Sequence, residues 1–149
     1  RQKLFLHKYN LWIEDGGATK VNGFKKLLKE EQEFLLDYLD NMSVYEKIRV
    51  NNQNYILVHS LPSDLQNKKN LNYQIEEVLF GRPDFTASWK QEDIYIIGHT
   101  PTFKIPGAVP GKIYRRNNLI DIDCGCVTGH ALCAYCIDTG EAFYEPVLI

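Results

Sequence analysis

Apolar residues recur every three or four positions in the first third of the chain. Beyond that they come in short runs or at alternate positions. Gln2 to Trp12 predicts a helix, with Leu4, Phe5, Leu11 and Trp12 at helical spacing. Asp15-Gly16-Gly17 predicts its stop, because glycine accepts the backbone geometry of a helix end. A long amphipathic helix is expected from about Gly23 to Asn41, its inward stripe made of Phe24, Leu27, Leu28, Phe34, Leu35, Tyr38 and Leu39. The period then changes. Val44–Val50 and Tyr55–Ser60 predict a hairpin turning at Asn51–Asn54. Asn70–Phe80 predicts a second helix, ended by Gly81-Arg82-Pro83-Asp84, and Ile94–Gly98 a strand. Phe103–Gly111 is a loop rich in proline and glycine. Ile113–Arg115, Leu119–Asp123, Ala131–Ile137 and Ala142–Val147 are expected as strands of a meander closing a sheet. The expected fold is α/β, a mixed sheet with flanking helices and a terminal β-meander, in one domain over residues 1–149.

Composition narrows the class. The chain has 149 residues, enough for one domain with a real core, and is 44% hydrophobic and 24% charged, as soluble globular proteins are. A formal net charge of −2 gives no basic signal for nucleic acid or for an anionic membrane. No apolar run reaches the roughly 18 residues that suggest a membrane span, and no signal-peptide pattern opens the chain. A cytoplasmic setting with four reduced cysteines is the expectation. The chain opens at Arg1 in a helical pattern, which reads as a processed or partial chain.

Two histidines stand at the ends of strand-like runs: Tyr55-Ile56-Leu57-Val58-His59 and Ile94-Tyr95-Ile96-Ile97-Gly98-His99-Thr100-Pro101. A lone strand-end histidine is more often a hydrogen-bonded core or turn residue. Two in matching contexts, at the sheet edge where open α/β sheets hold ligands, point to a shared metal ion. A hydrolytic centre needs further ligands. The nearby acids Asp64, Asp84, Asp93, Asp121 and Asp123 are not clearly aimed at that edge, and Asp121 and Asp123 fit structural acceptors equally well. The missing ligands are therefore expected outside this chain. Arg82, in a forced turn after a helix, carries a guanidinium suited to phosphate, although a surface arginine is the commoner case. Cys124-Gly125-Cys126 and Cys133-Ala134-Tyr135-Cys136 hint at zinc. Residues three apart in a strand face opposite ways, so half-buried core thiols are favoured. Asp15-Gly16-Gly17-Ala18-Thr19 lacks the lysine and spacing of a phosphate-binding loop.

The order of these elements resembles the C-terminal portion of calcineurin-like metallophosphoesterases, in the bacterial and phage-type serine/threonine protein phosphatase branch. Trp12-Ile13-Glu14-Asp15-Gly16-Gly17-Ala18-Thr19 is similar to the segment that follows that family's Gly-Asn-His-Glu motif. Ile56-Leu57-Val58-His59 looks like its metal-binding histidine strand, and Leu79-Phe80-Gly81-Arg82 like its Trp-x-Arg element. Gly98-His99-Thr100-Pro101 matches its Gly-His-Thr-Pro motif, and Ile122-Asp123-Cys124-Gly125 resembles its Ile-Asp-Thr-Gly turn. The resemblance implies the C-terminal half of an αββα sandwich. It also implies that His59 and His99 ligate the second of two divalent metals (Mn, with Fe or Zn as other options) and that Arg82 binds the substrate phosphate. The implied chemistry is in-line attack of activated water on phosphorus. Expected partners are a phosphoprotein or a small phosphoester, with self-association of the fragment a further expectation.

The family's Gly-Asp-x-His-Gly, Gly-Asp-x-x-Asp-Arg-Gly and Gly-Asn-His-Glu motifs are absent, and with them the first-metal ligands and the acid histidine. No catalytic residue is therefore assigned within this chain, which is expected to be an inactive fragment. Ser60-Leu61 replaces the family's usual Ala-Gly, and Phe80 its tryptophan. The alternatives are a dinucleoside-polyphosphate hydrolase of the same superfamily, a non-catalytic binding or regulatory domain, and a small zinc-binding module.

Overall fold

The computed structural model describes residues 9–64, 74–88 and 92–147. The parts of the expected helices at residues 2–8 and 70–73 lie outside them. The chain divides into two compact units, Arg1–Met42 and Ser43–Ile149.

The first unit is helical. Residues 9–12 are helical and run into a π-helical turn, Ile13–Gly17, which continues as α1, Ala18–Phe24. Asp15-Gly16-Gly17 therefore widens the helix instead of ending it. Gly16 takes the irregularity with φ +90°, and Gly17 packs so closely under the Trp12 ring that a Cβ there would collide with it. The helix expected over Gly23–Asn41 is broken before α2, Lys29–Asp40. Capping explains the break. The Glu31 carboxylate accepts the Leu28 N–H at 2.7 Å, while the Gln32 side-chain amide donates to the Phe24 and Leu27 carbonyls at 3.0 and 3.2 Å. Of the expected inward stripe, Phe24, Leu27 and Leu35 are half-buried, whereas Leu28, Phe34, Tyr38 and Leu39 are exposed.

The second unit is a mixed α/β fold. Its strands are β1 (Tyr45–Val50), β2 (Gln53–Val58), β3 (Ile94–Ile97), β4 (Tyr114–Arg116), β5 (Leu119–Asp121), β6 (Ala131–Tyr135) and β7 (Ala142–Pro146). A short helix, α3 (Ile75–Phe80), follows β2. Five strands form one sheet in the order β1-β2-β3-β5-β4, and β6 and β7 pair as a separate hairpin. The β1–β2 turn is two residues, tighter than the four expected. Asn51 and Asn52 both take positive φ, 49° and 64°, which asparagine tolerates and a two-residue hairpin of this hand requires.

The last strands do not form one meander. β5 lies between β3 and β4, parallel to β3 and antiparallel to β4. Gly125 and Gly129, both at positive φ, then turn the chain out of that sheet before β6. β2, β3 and β5 are thus three neighbouring parallel strands, and the unbroken apolar run Ile94–Ile97 suits the buried middle one. Ile56, Tyr95 and Leu119 stand in register on one face. They join Leu61, Phe85, Ile97 and Ile105 in the core. Ile97 pairs with Asp121, so the alternation of the strands carries that carboxyl to the core face as well. No helix among the described residues is long and apolar enough to cross a membrane.

Candidate metal and phosphate site

The parallel order of β2, β3 and β5 brings three chain segments to one edge. His59 follows the last residue of β2, Gly98-His99 follows β3, and Asp123 lies two residues past β5. Pairing continues past the strand ends: Gly98 N–H donates to the His59 carbonyl at 3.1 Å, and Ile122 N–H to the Ile97 carbonyl at 2.9 Å. The two histidines expected to act together do meet. His59 Nε2 and His99 Nδ1 are 3.1 Å apart, with ring centroids separated by 4.9 Å and planes at 62°.

His99 is held in strained backbone. Its φ is +67°, and Thr100 N–H donates to the Gly98 carbonyl at 2.7 Å across it. A positive φ with an i to i+2 hydrogen bond defines the rarer γ-turn, a conformation that costs about 1–3 kcal/mol and gathers at functional sites. The half-buried His99 imidazole is held below its ordinary pKa, first by desolvation, then by His59 and Arg82, with Asp123 opposing. It is neutral at neutral pH, the form that ligates metals.

Arg82 reaches the same edge. Its Nη1 donates to Thr100 Oγ1 at 3.1 Å. Its backbone is set by its neighbours: Ser60 N–H donates to the Val78 carbonyl at 2.8 Å, and Ser60 Oγ donates to the Gly81 carbonyl. A Cβ on Gly81 would run into the carbonyl oxygens of Glu77 and Leu61. Ser60-Leu61 is therefore the segment that docks the Arg82 turn on the sheet, with both residues fully buried. Arg82 also walls an open groove of about 320 Å³ running between Pro62–Asp64 and α3.

Asp121 and Asp123 part company. Asp123 comes to the ligand edge, its Cβ 3.8 Å from where a Cβ on Gly98 would stand, and its Oδ1 accepts the Gly125 N–H at 3.1 Å. Asp121 turns into the core, where burial pushes its carboxyl up to about 8. The roles of Ser60 and Thr100 at this edge are not read from the sequence, whereas Asp123 is one of the nearby acids weighed there, as a possible structural acceptor. The one local hint was Ser60 and Thr100 directly following the two histidines.

Two nitrogens ligating one ion at about 2.1 Å lie about 3.0 Å apart at a right angle and about 3.4 Å apart at a tetrahedral angle. The observed 3.1 Å falls between them. Two imidazole nitrogens at that spacing fit one divalent ion as a partial set. Among the described residues, no group of three or more His, Cys, Asp or Glu could hold a metal ion. The cysteines are free thiols. Cys124 is buried and its thiol is pushed up to about 12, mainly by desolvation, and the Cys133 thiol donates to the Ile122 carbonyl at 2.9 Å. Cys136 is drawn below the ordinary thiol value by the Thr139 hydroxyl and backbone.

Compared with known proteins, the chain matches no family model and no curated protein.

Proposed function

We propose that this chain is the C-terminal portion of a metal-dependent phosphoester hydrolase of the calcineurin-like kind, on the serine/threonine protein phosphatase branch. His59 and His99 are its second-metal ligands and Arg82 its phosphate-binding residue. In this reading the five-stranded sheet and the β6–β7 hairpin belong to an αββα sandwich, and the remaining ligands and the acid histidine come from segments outside this chain. One observation carries the proposal: His59 Nε2 and His99 Nδ1 face each other at 3.1 Å on the carboxyl edge of parallel strands, with the Arg82 guanidinium tied to the next residue of the same turn.

Divalent metal, when bound, supplies an acidified water and neutralises charge on the phosphoryl oxygens. Manganese is the favoured ion, with iron or zinc as the alternatives. The chain's own residues do the rest. His59 and His99 present ring nitrogens from two neighbouring strand ends. Arg82 offers a planar fork of N–H donors that matches phosphate oxygens two at a time. The substrate is a phosphoprotein or a small phosphoester.

Titrating the chain with Zn2+ while following the histidine ring signals by NMR tests the pair. The His59 and His99 signals shift together and saturate. His59→Ala and His99→Ala each weaken binding by at least about tenfold, the loss that even an outer-shell partner causes. Metal binding unchanged in both variants refutes the assignment.

A further inference from the structure

The geometry points to Thr100 as a positioning residue for phosphate recognition, acting through Arg82; this rests on the phosphoester reading above. An arginine is a poor phosphate clamp while its long side chain is free, because its rotamers must be frozen when the ligand arrives. Here the freezing is done in advance at both ends of the residue. At the backbone end, Ser60 fastens the Val78 and Gly81 carbonyls to the strand that ends in His59. At the guanidinium end, Thr100 Oγ1 accepts from Arg82 Nη1 at 3.1 Å.

Thr100 is itself buried and tied into the backbone. It is 6% exposed, and its N–H closes the γ-turn centred on His99. The hydroxyl that orients Arg82 is therefore one residue from a metal-ligand candidate and shares its strained turn. Arg82 is exposed, so the donors that Thr100 leaves unused are open to an anion at the ligand edge. Thr100 thus sets the distance and angle between the arginine fork and the histidine pair, and a phosphoryl group bridging the two would be read by that spacing.

The test is calorimetric titration of the whole chain with inorganic phosphate in the presence of Mn2+. Wild type is compared with Thr100→Val, Thr100→Ser and Arg82→Ala, and with Thr100→Val in the Arg82→Ala background. Thr100→Val keeps the shape and removes the acceptor. It is expected to weaken phosphate binding about tenfold, the equivalent of one hydrogen bond to a charged group, while leaving Mn2+ affinity unchanged. Thr100→Ser keeps the hydroxyl and stays within about twofold of wild type. In the Arg82→Ala background the valine variant adds no further loss, which a merely structural threonine would not produce. Equal losses in the two backgrounds, or undiminished phosphate affinity in Thr100→Val, overturn the inference while leaving the phosphoester reading standing. No phosphate binding by the Mn2+-loaded wild type overturns both.

Discussion

Replacing Asp121 by asparagine makes the protein more stable at neutral pH and flattens its pH dependence. Asp121 is fully buried on the core face of β5, opposite Ile97. Its Oδ1 accepts the Asp123 N–H at 2.8 Å, and its Oδ2 has no partner. Desolvation lifts the carboxyl from 3.8 to about 8, helped by the charge of Asp123 and opposed by the Asp123 N–H. The folded pKa lies above the unfolded one, so between about pH 4 and pH 8 the folded chain holds a proton that the unfolded chain has released. Stability therefore falls as pH rises through that window and levels off above about 8. Each pH unit costs about 1.4 kcal/mol, and the accumulated cost at pH 7 is about 4 kcal/mol. Asparagine cannot ionise and keeps the Oδ1 acceptor. Its amide takes the unpartnered position at a cost of about 1–3 kcal/mol. The net gain is about 1–3 kcal/mol at pH 7, reversing to a loss near pH 4. Urea denaturation followed by far-UV circular dichroism from pH 4.5 to 8.5 reads this directly. Wild-type and Asp121→Asn stability curves that run parallel across the window would refute the argument, because they would mean that the carboxyl is ionised in the folded chain.

Two further outcomes follow from backbone geometry. At ordinary positions alanine is more stable than glycine, but at His99 the φ of +67° reverses the order, so His99→Gly melts about 4 °C above His99→Ala; an alanine variant that is equal or higher by calorimetry removes the strain from the account. Gly81→Ala loses about 1–3 kcal/mol and exposes the α3–Arg82 turn to faster amide exchange, because a Cβ there meets two carbonyl oxygens; wild-type stability and exchange would show that the turn is not close-packed.

Legibility followed the range of the interactions. Short apolar runs identify β2 and β3 from the sequence, and since His59 and His99 terminate those runs, their meeting needed only that the two strands be parallel neighbours. Arg82 was legible for a similar reason, a guanidinium in a turn forced by Gly81 and Pro83. The position of β5 between β3 and β4 was not, because strand order depends on pairings between distant segments, and with it went the separation of Asp123 from Asp121. Single-residue signals misled where they have two outcomes. Gly16-Gly17 reads as a stop, yet a glycine at positive φ also permits a π-helical bulge. Gln32 sits in the amphipathic pattern as one more polar residue, yet its amide holds the carbonyls that separate α1 from α2. Ser60 and Thr100 act through hydrogen bonds to other elements, for which no periodicity exists.

The strand order also sets the sequence of events in folding. β1 and β2 are joined by two residues, and a hairpin of that kind pairs in microseconds. The ligand edge gains nothing from that step. Bringing His99 beside His59 requires closing the chain between Val58 and Ile94, and seating Asp123 requires closing it again between Ile97 and Leu119. Both closures pay their chain entropy before any parallel contact returns it. Loop closure therefore puts the edge late, and a nascent chain that stops short of β5 carries both histidines without the strand that completes their setting.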